Sequence, residues 1–211
     1  MKKTKLLSLC ILFFSYSLFA AQSWIGVQAF STTNRGNPAL AIWGENLEGE
    51  SVASFLGANI TGSIYPVKSS PFGFGFQIGA SEMYAISSET PDADLSDYPL
   101  AWNGSLSAQY HALIMGNISM ELCMGLLVER LNKAVGCRET EIRATLNSVS
   151  LLTSINLLLP LSDAFSLVGG FGASLPLYTQ RKIARGDNTD KANIDVEGIT
   201  VRAQIGIALA L

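Results

Sequence analysis

Residues 72–81 read Phe-Gly-Phe-Gly-Phe-Gln-Ile-Gly-Ala-Ser, with an apolar side chain at every even position and glycine, glutamine or serine at every odd one. Only an extended strand sends alternate residues to opposite faces. A helix would lose ~1 kcal/mol at each of these glycines. The stretch is therefore a strand with one apolar and one small polar face, and the rest of the chain repeats it.

The same alternation marks residues 24–31, where Ile25, Val27 and Ala29 share a face, and 52–65, where Val52, Leu56, Ala58, Ile60 and Ile64 do. It recurs at 100–112, with Leu100, Trp102, Leu106 and Ala108 against Asn103, Ser105, Ser107, Gln109 and His111. After Met115-Gly116-Asn117 it resumes with Ile118, Met120, Leu122, Met124, Leu126 and Val128 against Glu121, Cys123, Gly125 and Glu129. Residues 165–175 and 199–211 alternate as cleanly. The segment from Ile142 is less regular, its apolar parity changing between Leu146 and Val149, and a bulge is expected there. Eight such segments predict an all-β fold: an eight-stranded antiparallel barrel.

Composition decides which face is outside. Charged residues make up 15% of the chain against a typical ~25%, and the mean hydropathy is +0.31. No apolar run could form a spanning helix, because Val149–Leu177 is interrupted by Pro160, Asp163 and glycines. A hydrophobic chain without such a helix has one other way to cross a bilayer, a closed barrel. The polar face agrees. Its charges are almost confined to Glu121, Glu129, Arg143 and Arg202, whereas a water-facing exterior would be rich in Lys and Glu. The apolar face is therefore predicted to meet outer-membrane lipid, and the polar face a lumen.

Connections alternate in length as periplasmic turns and extracellular loops do. The links at 66–71, 115–117 and 158–164 are short; those at 32–51, 85–99, 131–140 and 179–198 are long. Acidic residues gather in the long ones, as in Glu45, Glu48 and Glu50, and in Glu89, Asp92, Asp94 and Asp97. Trp24, Phe72, Tyr110 and Phe165 on the turn side, with Tyr84 and Trp102 on the loop side, are expected to form two interfacial girdles.

The N-terminus has the three parts of an export signal: basic Lys2, Lys3 and Lys5, an apolar run from Leu6 to Phe19, and a small-residue zone at Ala20-Ala21-Gln22-Ser23. Cleavage after Ser23 suits the small-residue preference better than cleavage after Ala20, which sets Leu18 three residues back. Cys10 follows the bulky Leu9 within the apolar run, a poor lipidation site. The division is thus 1–23 signal and 24–211 barrel, roughly 190 residues in one domain. Removing the three lysines makes the formal charge of −3 more negative, so no nucleic-acid partner is expected. The two remaining cysteines, Cys123 and Cys137, enter an oxidising compartment, and their pairing stays open.

Lumen candidates are His111, Glu121, Glu129, Arg143, Arg202 and Gln204, with Glu129–Arg143 and Glu121–Arg202 as expected ion pairs. A single histidine and no zinc, calcium or phosphate-loop pattern argue against an enzyme and against a metal or other cofactor. The inward set is small, including Gly57, Gly73, Gly75, Gly79, Gly170, Gly172 and Gly206. An inward-folded loop, a flattened barrel or a water-lined cavity would follow, with the widest space expected against Gly57 and Gly75.

The run Pro160-Leu161-Ser162-Asp163-Ala164-Phe165-Ser166-Leu167, followed by Gly169-Gly170-Phe171-Gly172, resembles small outer-membrane barrels of the OmpA/OmpX/OmpW class, in which such a turn leads into a glycine-rich strand. The C-terminal strand is similar to those read by the outer-membrane assembly machinery, though it ends on Leu211 where that class usually ends on Phe. The resemblance implies either passage of small apolar solutes, as in OmpW-like members, or a structural or adhesive role, as in OmpX-like ones. It carries over no functional residue. The expected function is a narrow pore or small-solute binding channel, with a structural or adhesion barrel as the alternative and an enzyme as a remote third.

Overall fold

The structure, a computed structural model, describes residues 22–36, 52–67, 70–87, 100–135, 142–186, 188–194 and 198–211. Most of the expected export signal, residues 1–21 with Cys10, and Cys137 lie outside them. The elements are β1 (Trp24–Gly36), β2 (Val52–Ile64), β3 (Phe72–Ser87), β4 (Leu100–Met115), β5 (Ile118–Val135), β6 (Ile142–Pro160), β7 (Phe165–Arg185), β8 (Asn188–Asn193) and β9 (Gly198–Ala210).

Neighbours in sequence pair antiparallel from β1 to β7, and β9 pairs with both β7 and β1, so eight strands close into a ring that omits β8. β1 seals the seam along its length, from Trp24↔Ser63 to Arg35↔Val52 on one side and from Trp24↔Ala210 to Gly36↔Gly198 on the other. The eight predicted segments are these eight strands. The ninth, β8, is a short hairpin partner for the far end of β7, from Gln180↔Asn193 to Arg185↔Asn188. It arises because β7 and β9 part at Ser174↔Thr200 while β7 runs on to Arg185. β8 covers an edge that would otherwise be left unpaired.

Facing follows the alternation. Leu106 and Phe171 are each 72% exposed, and Val27, Ile60, Phe74, Ile78, Met124 and Ile205 also stand outward. A soluble monomer does not present a continuous apolar belt of this kind; lipid solvates it at no cost. Phe72 and Tyr110 pack together on this surface at 5.3 Å, as a turn-side girdle would require. Trp24 departs from that expectation. It is 4% exposed and points into the lumen, on the same parity as Gln28.

β6 keeps one parity throughout: Ala144, Leu146, Ser150, Leu152, Asn156 and Leu158 are all buried, and its register with β5 is unbroken. The expected bulge lies instead in β7, where Val149 and Ser150 face Tyr178 and Pro176 and leave Leu177 extra. Pro176 has no N–H to give the ladder, which is why the irregularity falls there. The apparent parity change in β6 came from leucines that point inward.

The turn end is tied by local chemistry. Gly116 adopts φ 58°, the left-handed conformation that the two-residue β4–β5 turn needs. Ser162 Oγ accepts hydrogen bonds from the amides of Ala164 and Phe165 at 3.3 and 3.1 Å. Ser23 joins the seam just below β1: its carbonyl accepts from Leu211 N and its hydroxyl from Tyr65 N, both at 2.9 Å.

Two outcomes are expected. Ile60→Arg, on the lipid face, should cost ~2–4 kcal/mol if near the bilayer midplane, as measured by reversible urea unfolding in lipid vesicles, whereas Ile60→Leu should cost little. If the expected export signal is removed, Ser23, which binds two other segments, should stay with the barrel, and processing after Ala20 rather than after Ser23 is the expected outcome. The intact mass of the membrane-embedded form distinguishes the two.

Candidate functional site: the barrel lumen

An eight-stranded barrel is about wide enough for side chains to fill, and here large residues fill most of it. Phe30, Met83, Leu127 and Val168 are almost wholly buried. The inward glycines receive these and other neighbours. A Cβ on Gly57 would meet the Phe30 ring and Ser81; one on Gly75 would meet the Gln109 amide. One on Gly206 would meet Gln28, and one on Gly170 would meet Asn156. The expectation of open space against Gly57 and Gly75 is therefore overturned, since those positions are seats for side chains from adjacent strands.

The turn end is closed by a buried carboxylate. Glu121 of β5 is 0% exposed. Its Oε1 accepts from Trp24 Nε1 at 2.8 Å and from the Tyr65 hydroxyl at 2.7 Å, and its Oε2 accepts from Ser63 Oγ at 3.1 Å. His111 of β4 stands edge-on to Tyr65 at 5.6 Å, with Nδ1 4.0 Å from Glu121 Oε1, an ion-pair separation only when the ring is protonated. The rest of the floor is apolar, with Trp24, Leu158, Val168 and Ala208 packed together. Strands β1, β2, β4 and β5 thus meet on one carboxylate, and β6, β7 and β9 meet beside it on one apolar cluster.

Above this floor lies a belt of amides. Gln204 Nε2 donates to Asn156 Oδ1 at 2.8 Å, and Gln109 and Asn156 direct their amides at the Cys123 sulfur at 3.5 and 3.7 Å. Cys123 is a free, buried thiol. Among the described residues, Gln28 and Asn59, 1% and 3% exposed, have no partner for their side-chain amides. Buried amides of this kind bind water where there is room for it.

Arg202 and Glu129 form the next layer. They approach across the lumen from β9 and β5, Nη2 to Oε1 at 3.9 Å, and the guanidinium lies 4.4 Å over the Phe30 ring, a cation–π contact. Both expected ion pairs are thus corrected. Arg143 pairs with Ala134 in the β5–β6 ladder and is exposed outside, on the odd parity of β6, so it cannot reach Glu129. Arg202 takes that place, and Glu121 is held by neutral donors instead.

Beyond the Arg202–Glu129 layer, at the loop end, is a cavity of about 70 Å³. Phe55, Leu131, Leu146 and Pro176 give it apolar walls, while Asn34, Glu129 and the hydroxyls of Thr32 and Thr200 line the rest. Among the described residues no group of three or more His, Cys, Asp or Glu is arranged to hold a metal. His111, Glu121, Glu129, Arg202 and Gln204 all line the lumen, but in separate layers. The alternation sets Ser63 on the polar face of the second segment, but sequence reading missed Trp24, Phe30 and Tyr65, although parity carried along β1 and β2 would have turned each of them inward.

No protein-family model matches the chain, and no curated protein does. Solved structures share the fold. A major outer membrane protein from Thermus thermophilus aligns with a TM-score of 0.56 at 13% identity, covering 90% of this chain and 99% of that one. The outer membrane protein OprG from Pseudomonas aeruginosa aligns at 0.56 and 14%, covering 92% and 98%. The outer membrane protein AlkL, solved in DMPC lipid bilayers, aligns at 0.53 and 15%, covering 92% of each.

Removing the carboxylate at the floor should be severe, because three donors would be stranded in a dry site. Glu121→Ala is expected to destabilise the barrel by ~2–5 kcal/mol, with the Trp24 emission moving to longer wavelength. Reversible unfolding in vesicles, followed by tryptophan fluorescence, measures both.

Proposed function

We propose that this chain, an eight-stranded β-barrel of the bacterial outer membrane, is a small-solute binding channel whose binding chamber is the loop-end cavity. The observation that carries the reading is the asymmetry of the lumen. A part-polar, part-apolar cavity lies at the loop end, and the Glu121 cluster with its apolar neighbours occupies the turn end. A solute from the loop side would meet walls that bury an apolar body and a few polar groups that orient it, the usual make-up of a small-molecule site. Its size suits only something small, since about 70 Å³ accommodates about five waters.

Onward passage would require the Glu121 contacts to part, so binding is expected to exceed conduction. The alternative, a structural or adhesion barrel acting through its loops, draws on the strands that extend past the belt and on β8. Insertion through the assembly machinery would use β9, whose outward Ile199, Val201, Ile205, Ile207 and Leu209 end on Leu211. Export by a cleaved signal belongs to the same reading.

In reconstituted liposomes, small polar solutes should permeate only slightly faster than through empty vesicles, while amides around the cavity, such as those of Ser148 and Thr179, shift in NMR spectra on solute addition. Large open-channel currents in planar bilayers would refute the closed floor. Absence of any solute-dependent shift would leave the structural reading in its place.

A further inference from the structure

We infer that the loop-end cavity selects small organic cations, compounds with an ammonium group on a short apolar body. The inference rests on the proposed chamber and names what it takes. Among the described residues Glu129 is the only ionisable side chain lining the cavity, and 29% of it is exposed, against 6% of its partner Arg202, which lies against the Phe30 ring. A solute therefore meets the carboxylate and not the guanidinium. At 3.9 Å the Arg202 contact is longer than a hydrogen bond, so the carboxylate keeps acceptor capacity toward the chamber.

A second group has the same sense. Asn34 uses its amide nitrogen on Thr200 Oγ1 at 2.8 Å, which leaves its Oδ1 as a buried acceptor with no partner among the described residues, at the same cavity. Two acceptors, with no cation among the described lining residues, favour a ligand that only donates, as an ammonium does with three N–H groups. Phe55, Leu131 and Leu146 would cover its hydrocarbon part.

The test uses three probes of similar size, n-butylammonium, n-butanol and n-butyrate, titrated into the folded full-length mature barrel in detergent and followed by amide shifts around the cavity. Butylammonium is expected to bind more tightly than butanol, and butyrate not at all. Glu129→Gln should weaken butylammonium roughly tenfold, the loss of one charge-assisted hydrogen bond, and leave butanol nearly unchanged. Because Glu129→Gln strands Arg202, the double variant Glu129→Gln/Arg202→Met is measured beside it and should show the same loss. If butanol or butyrate binds as well as butylammonium, or if neither variant alters the ranking, cation selection is overturned while the chamber stands. If no probe binds, both fail.

Discussion

Backbone hydrogen bonding in hydrocarbon leaves this chain one way to cross a bilayer. Every strand N–H and C=O in the lipid zone must find a partner in the protein, since an orphaned pair there costs several kcal/mol. The ring meets that condition at a single seam, where β1 pairs with β2 on one side and β9 on the other. Ser23 and Leu211 extend the seam past the strand ends. Without β9 on β1 there would be two open edges, and the apolar belt would have no closed wall to cover.

Closure determines what the interior has to do. The ring is narrow, so side chains from opposite walls meet, and glycine becomes a packing residue. Gly57 accommodates Phe30 from β1, and Gly75 accommodates Gln109 from β4. The wall is thin where a neighbour is bulky, and the tube is filled by complementary steps. Space remains at the loop end, where the inward residues include Thr32, Ser148, Ser150 and Thr200.

The two lumenal carboxylates show how a protein places charge in such an interior. Glu121 is held by three neutral donors and acts as a knot between β1, β2 and β5. Glu129 is held loosely by one cation that is itself engaged with an aromatic ring, and it remains partly open. The same residue type thus serves as a fastening in one layer and as an available acceptor in another. The difference lies in the number and geometry of the donors around each.

The facing of almost every strand was legible in residues such as those of 72–81, because alternation is a local property of extended backbone and lipid and lumen demand opposite chemistry from the two faces. The closed barrel, its count of membrane strands and the lumenal placement of His111, Glu121, Glu129, Arg202 and Gln204 followed from that alone. Where strands leave the lipid, both faces meet water, the period-two signal vanishes, and β8 and the extended end of β7 went unseen. Inward leucines in β6 imitated a parity change, since a filled lumen accepts apolar side chains as readily as lipid does. Which charges meet was decided only in three dimensions. Arg202 reaches Glu129 across the tube from a strand that is not its neighbour, and such a contact depends on the stagger accumulated around the whole ring, which no local pattern records.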